Sequence, residues 1–249
     1  MLNFKIHNIQ ILSMNIRNLL IVYILISSTR LHSQEAASKV FYLEKIKAEM
    51  KLEWPKNRTI NLVFHGHSVP AGYFKTPIVN TLNSYPYLVL EQIKLQYPFT
   101  VVNIINTSIG GENSESGQKR FESEVLIHQP DVLFIDYALN DRGIGLVSAK
   151  IAWEKMIRAA LDKKIKVILL TPSPDQTVDI NDDHTILDQH ATQIIQLSKF
   201  FNVGLIDTYA LFKNKTKEGF DLVNFMSQVN HPNENGHHLI ADEIMRYFK

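Results

Sequence analysis

Five short apolar runs, each closing on a turn and separated from the next by a stretch with helical spacing, constrain the fold most. They are residues 60–66, 99–105, 131–137, 166–170 and 203–207. Residues 85–97, 115–128, 147–163 and 185–201 lie between them, with apolar positions three or four apart (Leu88, Leu90, Ile93 and Leu95 in the first). A final helix starts at Glu234 and carries Ile240, Ile244 and Phe248 on one side. Strands that are apolar throughout belong in a parallel sheet covered on both faces, because right-handed crossovers place helices on each side. The predicted class is α/β: a three-layer α/β/α sandwich around a central five-stranded parallel sheet, flavodoxin-like.

Of the 249 residues, 45% are hydrophobic and 20% charged, enough apolar material for one sizeable core. Net charge is +1, with no basic block and no acidic tail, so neither nucleic acid nor an anionic membrane surface is an expected partner. Residues 1–34 read as a leader. Arg17 precedes the apolar run 19–26, small polar Ser27, Ser28 and Thr29 follow, and Ser33-Gln34-Glu35 offers a cleavage region. The run is short for a membrane span, and Met14 makes as good a start as Met1. The expectation is a secreted or periplasmic protein with no stable membrane association once the leader is cut. An uncleaved anchor is the alternative. Residues 35–57 read as a polar linker or helix ending near Trp54-Pro55, and 58–249 as the catalytic domain. The chain has no cysteine, which excludes disulfides, thiolate metal sites and a cysteine nucleophile.

Candidate chemistry sits where the strands end. After the first run comes Gly66-His67-Ser68-Val69-Pro70-Ala71-Gly72; a serine there is a weak nucleophile unless a base takes its proton and donors hold the oxyanion. Pro70 excludes the Gly-x-Ser-x-Gly elbow. Ile109-Gly110-Gly111-Glu112-Asn113 follows the second run, Ala138-Leu139-Asn140-Asp141 the third, and His231-Pro232-Asn233 precedes the last helix. Pro232 favours an extended His231, and Asn233 is placed to cap that helix. Taken singly, these are ordinary glycine turns and helix caps.

In this order the four blocks resemble those of the SGNH (GDSL-type) hydrolases. The resemblance spans residues 60–248 and implies Ser68 as nucleophile, His231 as base, and Gly111 (with Gly110 as fallback) and Asn140 as oxyanion donors, with Asp141 bracing its loop. It implies a serine esterase needing no cofactor and no metal, acting on a small-molecule or carbohydrate ester. Small acyl groups on carbohydrate fit best, with lysophospholipids and thioesters as further options. Tyr73, Phe74 and Tyr137 are candidates to line the pocket. His237 and His238 read as surface or partly packed.

Ala138 replaces the glycine of the family's Gly-x-Asn-Asp block, and two further positions depart from the family. His67 replaces the acid beside the nucleophile, which raises a His65-x-His67 metal site against a packed or hydrogen-bonded histidine pair. Gln228 stands where Asp-x-x-His would place the triad acid. The orienter of His231 is then Gln228's own oxygen, a backbone carbonyl, or a distant acid such as Asp221 or Glu234. The missing acid also leaves open a binding module that has lost its activity. A nucleotide-binding flavodoxin-like protein fits less well, since no phosphate-cradling loop is present.

Overall fold

The structure, a computed structural model, describes residues 35–249; residues 1–34, read from sequence as a leader, lie outside them. Helix α1 (Glu44–Met50) leads into β1 (Thr59–Gly66), the one-turn α2 (Ser68–Ala71), α3 (Tyr85–Gln96) and β2 (Val101–Asn106). The short helices α4 (Ser114–Lys119) and α5 (Phe121–Glu124) precede β3 (Val132–Asp136). Then come α6 (Gly145–Asp162), β4 (Lys166–Leu170), α7 (Ile186–Phe201), β5 (Gly204–Ile206) and α8 (Thr208–Lys217). A small antiparallel hairpin, β6 (Met226–Gln228) and β7 (His231–Pro232), feeds α9 (Glu234–Met245).

The five long strands form one parallel sheet in the order β2-β1-β3-β4-β5. Period-two alternation divides each strand between two cores. Leu62, Phe64, Val132, Phe134, Ile168 and Leu170 pack with α1, α3, α8 and α9. Val63, Leu133, Ile135, Val167 and Leu169 pack on the other face with α5, α6 and α7. This is the predicted three-layer sandwich.

Residues 35–57, read as a linker or helix, hold α1; Leu43 and Met50 are fully buried, and the Ala37 N–H donates to the Val203 carbonyl. One segment differs from expectation. The predicted helix over 115–128 is broken into α4, α5 and a 3₁₀ turn, Leu126–His128. Helix α8 and the β6–β7 hairpin occupy a stretch for which no element is predicted.

The carboxyl ends of β1, β2 and β3 bring the candidate blocks together. β1 lies between β2 and β3, so the turn leaving it at Gly66 sits between the turns that leave those two neighbours. A Cβ on Gly66 would lie 2.4 Å from the Asp136 carbonyl oxygen, so glycine alone lets these ends approach.

Candidate active site

Ser68 opens α2, where the first backbone N–H groups lack helical partners. His67 caps that turn: its Nδ1 accepts from the Val69 N–H at 3.2 Å. Among the described residues the Ser68 N–H has no partner, so it is available to an oxyanion.

His231 sits on β7 with 7% of its surface exposed, and its Nε2 lies 2.9 Å from Ser68 Oγ. Its Nδ1 is 3.0 Å from the Phe74 carbonyl oxygen and 2.7 Å from Gln228 Nε2. A carbonyl only accepts, so Phe74 favours the tautomer protonated at Nδ1 and leaves Nε2 to accept from the serine. Gln228 meets Nδ1 through its nitrogen, while its Oε1 accepts from the Thr76 N–H at 3.0 Å. Turning the amide over would present Oε1 as a second acceptor at the expense of the Thr76 bond. Asp221 instead accepts from the Val223 N–H. Among the described residues no carboxylate bonds His231. Burial therefore holds its imidazole below 6.5, against a partial upward pull from the Phe74 carbonyl.

The second block is a tight turn. Glu112 N–H donates to the Ile109 carbonyl at 3.2 Å, which places Gly111 third in the turn with a φ of +79° that suits glycine. The Gly111 N–H has no partner among the described residues, and a Cβ there would meet nothing within 4 Å. Gly110 by contrast is covered by the Tyr73 ring, 3.1 Å from where its Cβ would sit. Asn140 Nδ2 donates to the Glu112 carbonyl at 2.9 Å, which fixes the amide and leaves one N–H to spare. Asp141 is fully buried, accepting from the Ser114 N–H at 2.8 Å and Trp153 Nε1 at 2.6 Å. Its environment ties block three to block two; burial pushes its carboxyl up, and the two donors pull partly against that.

The three aromatic candidates separate. Tyr73 is half-buried, lying against Gly110 and with its ring 6.3 Å from that of His231, so it lines the cleft. Phe74 contributes its carbonyl, while its ring stacks on His237 at 4.7 Å and 9°. Tyr137 does not line a pocket. It is fully buried, its hydroxyl 2.7 Å from Glu112 Oε2 and 3.1 Å from His65 Nε2. Arg120 completes that cluster by pairing with Glu112. Burial pushes Glu112 up, but its bonds to Arg120 and Tyr137 outweigh this and hold it below the usual carboxylate range.

His65 and His67 point to different partners: Thr107 Oγ1 and Tyr137 for the first, Val69 and Asp136 for the second. Among the described residues no group of three or more His, Cys, Asp or Glu is placed to hold a metal ion. His237, read from sequence as surface or partly packed, is fully buried and accepts from the Tyr85 N–H at 3.1 Å. Sequence reasoning also passed over Asp136, although a charge ending an otherwise apolar strand signals a buried partner.

Residues 64–239, well over half of the chain, match the model of the GDSL-like lipase/acylhydrolase family. No curated protein matches the chain in sequence. Among solved structures, a two-domain esterase active on acetylated mannans is 20% identical with a TM-score of 0.70, covering 86% of this chain and 53% of its own. The chain thus spans about half the length of that protein. An acetylxylan esterase from Geobacillus stearothermophilus is 20% identical with a TM-score of 0.67, covering 76% of this chain and 94% of its own. At such identity these two neighbours share the fold. The matched span holds all four blocks, and the chain belongs to the GDSL-like lipase/acylhydrolase family of ester-bond hydrolases.

Proposed function

We propose that the protein is an exported serine esterase that removes small acyl groups, acetyl foremost, from carbohydrate. The observation that carries the chemistry is the 2.9 Å contact between Ser68 Oγ and His231 Nε2, with a carbonyl on the far nitrogen. Ser68 attacks the ester carbonyl as His231 takes its proton. The N–H groups of Ser68 and Gly111 and the spare N–H of Asn140 receive the oxyanion; one such donor is typically worth about a hundred- to a thousandfold in turnover. His231 then protonates the leaving alcohol, and a water activated by the same imidazole releases the acid.

The substrate class rests on the half-buried Tyr73 beside the dyad, a flat surface suited to a sugar ring, and on the two neighbours whose names specify acetylated mannans and acetylxylan. Among the described residues no helix is long and apolar enough to cross a membrane. Export rests on the leader-like pattern of residues 1–34.

The test is hydrolysis of p-nitrophenyl acetate, followed by acetate release from acetylated xylan and mannan, beside Ser68→Ala and His231→Ala. Each substitution is expected to lower turnover on the order of a thousandfold or more, and the pair together no further than either alone. A parent protein no faster than Ser68→Ala would leave a binding module in place of an enzyme.

A further inference from the structure

Resting on that reading, the geometry points to Asp136 as the acid of this catalytic centre, acting on the Ser68–His231 pair from the nucleophile's side, through His67. Asp136 is 4% exposed and His67 fully buried. His67 Nδ1 accepts the Val69 N–H, so it carries no proton. The imidazole proton is therefore on Nε2, which faces Asp136 Oδ1 at 3.4 Å. Among the described residues both atoms are buried and neither forms a hydrogen bond to any other group. The second carboxylate oxygen accepts from the Tyr85 hydroxyl at 3.0 Å. Burial, and then Asp136 itself, push that hydroxyl well above 10, which keeps it a donor.

A neutral imidazole and a carboxylate leave the pair with one net negative charge. The fold fixes where that charge lies. Gly66 and Asp136 are paired in the sheet, and the His67 N–H donates to the Asp136 carbonyl at 3.2 Å. Ser68 Oγ then stands between two imidazoles, 2.9 Å from His231 Nε2 and 3.5 Å from His67 Nδ1. When His231 takes the serine proton it becomes a buried cation with no carboxylate bonded to it. Low local dielectric lets the Asp136 charge stabilise that cation across the nucleophile. No proton moves to Asp136; His67 keeps its own on Nε2 throughout. Asp136 and His67 are positioning residues in this scheme, fixing the imidazole tautomer and the cap that aims Ser68. The other titratable groups around the dyad are Asp141, committed to Ser114 and Trp153, and His237, which burial lowers to about 3 and keeps neutral.

The experiment compares the full chain with Asp136→Asn, His67→Asn and the double variant on p-nitrophenyl acetate across pH, with thermal unfolding alongside. Asparagine at 136 still accepts from Tyr85, and asparagine at 67 still caps Val69. The expected result is a kcat about ten- to a hundredfold lower in each single variant, with KM within about twofold and the double variant no worse than the worse single. In Asp136→Asn the acid limb of the rate profile moves to lower pH, since removing a negative charge disfavours protonated His231. The inference is overturned by a kcat within about twofold of the parent, by losses that multiply in the double variant, or by an acid limb that stays in place. If Asp136→Asn does not fold, His67→Asn decides by the same kcat and KM readouts. A parent no faster than Ser68→Ala removes the functional reading and this inference with it; an active parent indifferent to Asp136 removes the inference alone.

Discussion

In the proposed mechanism His231 acts as a base without a carboxylate on Nδ1, and its surroundings would set the pH at which it does so. Burial lowers its pKa from 6.5, and the Phe74 carbonyl recovers only part of that. A base must be unprotonated to accept, so a lowered value keeps His231 competent further into acid. The acid limb of kcat/KM is therefore expected below pH 6.5, as read from a rate profile with p-nitrophenyl acetate. Gln228→Asp places a carboxylate beside Nδ1. It should move that limb upward and raise kcat, because the imidazolium formed in the transition state gains a charged partner. An unmoved limb would show that residue 228 does not govern the imidazole. The absence of the acid is legible in the sequence at once; its substitute is not. A main-chain carbonyl carries no residue signature, and Phe74 lies 157 positions from His231.

The turn that presents Gly111 is held from behind by an element contact that sequence patterning does not reveal. Helix α4 crosses the end of β3 so closely that a Cβ on Gly117 would lie 2.3 Å from the Tyr137 hydroxyl. That hydroxyl, with Glu112, Arg120 and His65, locks the second block to β1 and β3. Gly117→Ala is therefore expected to cost about 1–3 kcal/mol in urea unfolding, by overpacking. It should also lower kcat, because the displaced Tyr137 no longer holds Glu112, the neighbour of Gly111. A variant as stable and active as the parent would show that the helix can move aside freely. Tyr137 itself illustrates why the site was only half readable. Its position after a strand end suits a pocket wall, yet its partners lie 25 and 72 residues away. The break of the 115–128 helix has the same origin. Arg120, at the junction of α4 and α5, reaches back to Glu112 and to the Thr107 carbonyl, contacts that local periodicity does not encode.

At the scale of the whole molecule, the apolar runs alone suffice to place five strands between two cores, because period two and period 3.6 are written directly in residue type. What residue type does not state is how deep a polar side chain goes. Among the histidines buried outside the dyad, His65 and His190 are 1% exposed and His237 is fully enclosed. Burial lowers their pKa values to about 3, 4 and 3. In the unfolded chain each titrates near 6.5. Native values depressed below the unfolded one mean that these groups contribute their full stability above pH 6.5. As pH falls from there, the unfolded chain takes up protons that the native state refuses, and stability drops by about 1.4 kcal/mol per pH unit for each proton so bound. With three such groups the fold should be level in stability between pH 7 and 8 and weaken steeply between pH 6 and 4. His190 offers the cleanest separation, since it lies on the buried face of α7 and its Nε2 has no hydrogen-bond partner among the described residues. His190→Leu should flatten the fall by about one proton's worth while leaving stability at pH 7.5 within about 1.5 kcal/mol of the parent, a comparison made by urea unfolding at several pH values. Parallel pH dependences for parent and variant would mean that His190 is protonated inside the native fold, and the acid sensitivity would then belong to the remaining groups.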